Sequence, residues 1–190
     1  MDVIGVLSIM LNGLWLFIPA MLSNTFATMF GGKTKIDFGK SWHGKRIFGD
    51  GKSWSGFIGG GACASLVGLA IVGISYLTDS VDTWGYGGFY SNIAIIVCLA
   101  YGALLGDLCA AFVKRRLGLA RGQKAPILDQ YDFVAGAFII TTIFNFSWVY
   151  ATYFEGWRIC AFIIILLTMF FIHRIANIIG YRIGLKKEPW

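Results

Sequence analysis

An all-α integral membrane protein is the fold class this sequence predicts, and three observations predict it. Hydrophobic residues make up 57% of the 190 residues and charged residues only 14%, with a mean hydropathy of +0.69. A soluble chain of this size could not hide so many apolar side chains, whereas a membrane protein leaves them facing lipid. The apolar residues also gather into long runs that reach the ~20 residues a bilayer-spanning helix needs. Finally, the basic residues concentrate in alternate connections between those runs.

The first span is expected over Val3–Phe30, kinked or broken at Pro19. No basic residue precedes its apolar stretch, so it reads as a permanent helix rather than a secretory leader. The others are expected at about Phe57–Leu77, Asn92–Val113, Asp132–Phe154 and Trp157–Ile179. Five spans put all 16 Lys and Arg on one side of the membrane except Arg158, and the connection around Asp79 and Asp82 carries none. The positive-inside rule then places the N-terminus outside and the C-terminus in the cytoplasm. The expectation is one multi-pass domain, residues 1–190, in the cell membrane, with cytoplasmic functional loops at about 31–56 and 114–131. Cys63, Cys98, Cys109 and Cys160 lie in apolar stretches without CxxC spacing and read as small core residues. Topology accounts for the number of basic residues, with some attraction to anionic lipid, and no nucleic-acid partner is expected.

Topology does not account for how those residues are arranged. The two loops mix Lys and Arg with glycines (Gly31, Gly32, Gly39, Gly44, Gly49, Gly51, Gly56, Gly118, Gly122) and with Asp37, Asp50, Asp129 and Asp132. Glycines let backbone N–H groups approach an anion, cations hold phosphate oxygens, and carboxylates hold a divalent metal. Two stretches imitate a P-loop tail, Gly31–Thr34 and Gly51–Ser53, but the required first glycine is Ala27 in one and Arg46 in the other. Any phosphate handling here therefore belongs to another kind of site.

Asp107 is the most informative single residue. It sits inside the third span, seven residues before Lys114, hence on roughly the same helix face and ~10 Å deeper. An intramembrane carboxylate is costly and usually functional, although a buried helix–helix contact is the plain alternative. Asp129 and Asp132 are three apart where the fourth span begins, which puts both on one side of its first turn. An N-cap and a favourable helix dipole would explain that pair equally well. Together with Asp107 and the cations between, a metal–phosphate site becomes the better reading. Asn24, close to the first loop, is a further candidate to face a ligand.

The stretch GDLCAAFVKRRLGLARGQKAPILDQYDF, Gly106–Phe133, resembles the hallmark segment of the archaeal CDP-archaeol synthases. PAMLSNTFATMFGGKTKIDFGKSWHGKRIFGDGKSWSG, Pro19–Gly56, is similar to that family's first cytoplasmic loop. The resemblance covers essentially the whole chain. It departs at Ala111, where the family often has serine, and the chain lacks the His-Gly-Gly segment of the larger CDP-diacylglycerol synthases.

The resemblance implies a cytidylyltransferase that joins CTP to 2,3-bis-O-geranylgeranylglyceryl phosphate, giving unsaturated CDP-archaeol and pyrophosphate. It further implies Mg²⁺ held by Asp107, Asp129 and Asp132, with Lys114 completing the catalytic set. The implied substrate-binding residues are Asn24, Asp37, Arg46, Gly49, Asp50, Gly51, Lys52, Arg115 and Arg121. Two rivals remain. The Asp-Gly-x-x-Ala-Arg pattern of CDP-alcohol phosphotransferases is missing, since Lys52, Ser53, Trp54 and Ser55 follow Asp50-Gly51. A small transporter or channel subunit would instead use Asp107 as a pathway residue, but no paired inverted repeat of broken helices is evident.

Overall fold

The computed structural model describes residues 2–119, 123 and 125–182. Six helices account for most of it: α1 Val3–Met29, α2 Trp54–Leu77, α3 Val81–Trp84, α4 Phe89–Arg116, α5 Pro126–Tyr153 and α6 Ile159–Arg182. A two-stranded hairpin, β1 Ser41–Trp42 with β2 Lys45–Arg46, lies in the first long connection. Among the described residues, four stretches are long and apolar enough to cross a bilayer: α1, α2, the α3–α4 segment and Ile127–Tyr153 of α5. The fifth expected segment does form a helix, α6, but its described apolar stretch is shorter, Gly156–Ile172.

α1 is the central element and packs against α2, α4, α5 and α6. In lipid there is no hydrophobic drive between helices, so close approach depends on small residues. Between α1 and α2, a Cβ on Gly60 would stand 2.7 Å from the Ala27 Cα, so only glycine lets the two backbones meet. Gly102, Gly106 and Gly136 do the same where α4 crosses α5. The buried core gathers Leu16 and Phe17 of α1, Ile96 and Leu99 of α4, Tyr153 of α5 and Ile165 of α6.

Three expectations about local structure change. α1 runs through Pro19 as one helix, with Pro19 buried against Gly68 of α2. The irregular residue is Asn145 in α5 (φ −140°, ψ 49°), whose amide reaches Cys98 Sγ at 3.7 Å. α4 extends past Val113, so Lys114, Arg115 and Arg116 form its last turn rather than a loop. Cations are favoured there by the helix dipole, which makes the extension cheap. Cys109 is exposed on α4 and so is not a core residue.

Candidate functional site

The connection from α1 to α2 is folded back on itself and anchored at both ends. Ser53 caps α2, its hydroxyl accepting from Gly56 N at 3.2 Å and also from Gly32 N at 3.0 Å. Ile36 N donates to Lys52 O at 3.0 Å and Trp54 N to Thr34 O at 3.1 Å, so the start of the loop runs antiparallel to its end. The Gly51-Lys52-Ser53 run thus does lead into a helix N-terminus, as in a P-loop. Its serine, however, is spent on capping.

Within this loop, the hairpin turns on His43 and Gly44, both at positive φ (48° and 72°), the geometry of a tight two-residue β-turn. Asp37 is buried beneath the hairpin and gathers the loop around its carboxylate. It accepts from Arg46 Nη2 at 2.7 Å, from Arg46 Nε at 3.3 Å, and from the backbone N–H groups of Gly39, Phe48 and Gly49 at 3.1 Å each. Burial works to raise the Asp37 pKa, but these donors outweigh it and hold the carboxyl well below the usual carboxylate range. Arg46 spends its remaining arm on Asp50 at 2.9 Å.

The second half of the site lies where α4 crosses α5. A Cβ on Gly106 would fall 2.1 Å from the Asp132 carbonyl oxygen and 2.9 Å from the Gly136 Cα. This near-contact of backbones sets Asp107, the next residue on α4, within electrostatic reach of Asp132 on α5. Lys52, from the end of the first loop, ion-pairs with Asp107, and Lys114, in the last turn of α4, ion-pairs with Asp129. Asp129 also accepts from Ala125 N at 3.0 Å, closing the start of α5 as a cap. Asp132 accepts from Phe133 N at 2.6 Å and has no ion-pair partner among the described residues, although Lys114 and Lys52 are within electrostatic reach.

A cleft of about 280 Å³ separates the hairpin from the end of α4, lined by Lys45, Arg46, Gly49, Asp50, Arg115, Gly118 and Leu119. The backbone of Gly49 (φ 94°) lies so close to Arg115 that a Cβ there would stand 3.2 Å from Nε. Among the described residues that buried Nε has no hydrogen-bond partner, while Nη1 of the same guanidinium donates to the Leu119 carbonyl at 2.5 Å. Arrangements of this kind, with cations and glycine backbone around a small opening, suit phosphate oxygens.

The structure therefore gathers Lys52, Asp107, Lys114, Asp129 and Asp132 at the α4–α5 crossing, and Arg46, Gly49, Asp50 and Arg115 around the cleft. Asp37 and Arg46 bind each other, and Asp37 is too deeply buried to meet a ligand as it stands. Gly51 is exposed in the turn before α2, and Asn24 is half-buried on α1. Arg121 lies outside the described residues. Among the described residues, no three His, Cys, Asp or Glu converge tightly enough to grip a metal by themselves. The donor chemistry does fit a hard divalent cation: Asp107 and Asp132 lie within electrostatic reach of each other at the crossing, and both supply only oxygen. Sequence reasoning missed the glycine crossing, which the Gly102–Gly106 spacing could have shown. It also gave Arg116 no role of its own among the cations of the second loop.

Comparison with known proteins bears on this arrangement. The family model described as CarS-like, CDP-archaeol synthase, matches residues 6–190. The CDP-archaeol synthase of Methanosarcina mazei is 42% identical over 178 residues, covering 91% of this chain and 99% of that one. The CDP-archaeol synthase of Picrophilus torridus is 40% identical over 181 residues, covering 95% and 96%. A solved structure, described as an intramembrane enzyme for the biosynthesis of archaeal membrane lipids, superposes with a TM-score of 0.65. It is 32% identical, covering 89% of this chain and 94% of that one.

Proposed function

We propose that this chain, which belongs to the CDP-archaeol synthase family, joins CTP to 2,3-bis-O-geranylgeranylglyceryl phosphate. A phosphate oxygen of the lipid attacks the α-phosphorus of CTP. The new P–O bond forms as the bond to the β-phosphate bridge breaks, and pyrophosphate leaves with its electrons. The attacking group is already an anion, so positioning and charge neutralisation carry the rate rather than a strong base.

One observation carries this reading: carboxylates and lysines from three segments meet at the glycine crossing, beside a cationic cleft. Asp107 and Asp132 would hold Mg²⁺, with Asp129 as a third ligand once it parts from Lys114. Bound there, the metal supplies charge neutralisation at the phosphate oxygens. Lys52 and Lys114, paired here with Asp107 and Asp129, would contact phosphate oxygens of the substrates. Arg115 and the Gly49–Gly51 backbone line the nucleotide's phosphates, with Arg121 and Asn24 as further contacts. Asp37, Arg46 and Asp50 shape the loop that closes over them. The basic loops support a five-span arrangement with the N-terminus outside and the active site facing the cytoplasm. The lipid tails stay in the bilayer while the headgroup reaches the crossing.

CTP labelled at the α-phosphorus tests the bond-breaking step. The reading predicts label in an extractable lipid and none in pyrophosphate. Label appearing only as CMP, with no lipid product, would overturn it.

A further inference from the structure

We propose that Arg116 is a positioning residue for this reaction: it holds the β1–β2 hairpin on the end of α4 and so sets the shape of the cleft, without touching substrate. The hairpin cannot hold itself. Its strands are two residues each, and isolated two-stranded ribbons are marginal in water even when longer.

Arg116 closes α4 and turns its guanidinium back under the hairpin. Nη1 donates to the Trp42 carbonyl at 2.6 Å, and Nη2 donates to the carbonyls of Lys45 at 3.0 Å and Arg46 at 2.7 Å. Both strands are thereby tied to one planar group. The guanidinium carbon also lies 5.3 Å from the ring centres of Trp42 and of Phe112, and those two rings stack at 5.8 Å. The tie is reciprocal, because Lys45 Nζ donates to the Arg116 carbonyl at 3.2 Å. That carbonyl belongs to the last turn of α4, where helix acceptors lack intrahelical donors.

Both ties meet at Arg46, whose backbone carbonyl takes Arg116 while its side chain takes Asp37. Lys45, Arg46, Gly49 and Asp50 form one wall of the cleft and Arg115 the other. Arg115 and Arg116 are adjacent on α4 but do different work. Each has a buried Nε without a hydrogen-bond partner among the described residues, but Arg115 lines the cleft and donates from Nη1 to the nearby Leu119 carbonyl at 2.5 Å, whereas Arg116 donates from both Nη atoms to the hairpin backbone. A lysine cannot reproduce the Arg116 tie, since an ammonium is a point donor without the planar fork.

Arg116→Lys and Arg116→Ala are the test, with amide exchange of residues 41–47 and steady-state kinetics as readouts. A positioning role predicts faster hairpin exchange in both variants. It also predicts a KM for CTP raised about tenfold in both, with kcat changed less than about threefold. If Arg116 instead binds phosphate, the charge-preserving lysine keeps most of the affinity and the hairpin exchanges as in the wild type, which overturns the proposal. Equal KM values with lower thermal stability would also overturn it, leaving only a structural role. The exchange readout needs no catalysis, so it stands apart from the proposed reaction. If Arg116→Ala does not fold, Arg116→Lys alone decides.

Discussion

Asp37 and Asp107 are both carboxylates paired with a cation from the same connecting segment, yet their surroundings are opposite. The Asp37 side chain is fully buried, at 0% exposure, and is saturated by a two-pronged arginine and three backbone N–H groups. Asp107 keeps 23% exposure and, among the described residues, is paired with Lys52 alone. A buried charge that loses one of many donors is left badly solvated, so Asp37 is fixed. A partly exposed carboxylate held by one flexible lysine loses less when that partner changes. The comparison teaches that the first carboxylate builds the loop and the second is available for ligands, although sequence alone makes both look like site residues.

The largest test of this contrast is Asp107→Asn. We expect kcat to fall about a thousandfold, the scale of losing one well-placed electrostatic group, while the protein still inserts and purifies folded. Turnover near the wild-type level would remove Asp107 from the chemistry. Gly106→Ala comes next. Its new Cβ must push the Asp132 carbonyl away from 2.1 Å, an overpacking that costs about 1–3 kcal/mol. A lower melting temperature in detergent, together with reduced turnover, is the expected pair of results.

Asp37→Asn should act on the loop rather than on the chemistry. Faster amide exchange at residues 38–49 and a higher KM for CTP are expected, with kcat within about threefold. The sign of its pH dependence follows from the lowered pKa. The stabilisation from Asp37 is fully present above the unfolded carboxyl's pKa of about 4, and is lost only as pH falls through the lower native value. Loop protection should therefore show no loss from this group between pH 7 and pH 5. The smallest effect belongs to Asp50→Asn. Its partner contact lies at an exposed surface, with the Asp50 side chain 55% exposed, and such pairs contribute about 0–1 kcal/mol. Loop exchange should barely change, and a change as large as that of Asp37→Asn would erase the distinction between the two arms of Arg46.

Much of this was legible in the sequence, for physical reasons. Apolar runs reveal helices because lipid leaves little choice of backbone structure, so α1, α2 and α4 were found to within three residues, while α5 begins six residues before the expected Asp132, at Pro126. Asp107 stood out because a carboxylate there is expensive. The ends of elements were less legible. Lys114–Arg116 read as loop from their charge, whereas the helix dipole and the hairpin's carbonyls keep them helical. Pro19 read as a break, but α1 carries it through in a buried contact with Gly68. The split between Arg46, spent on Asp37, and Arg115, turned to the cleft, depends on side-chain partners far apart in the chain, and no local pattern encodes that.

The most direct measurement of the central claim is pyrophosphate release by the detergent-purified protein, withholding CTP, the geranylgeranylated glycerol phosphate and Mg²⁺ in turn, with ATP as a control. The account predicts release only when all three are present, and none with ATP in place of CTP. Release that ignores the lipid or the metal, or no release from a folded and fully supplied sample, would contradict it.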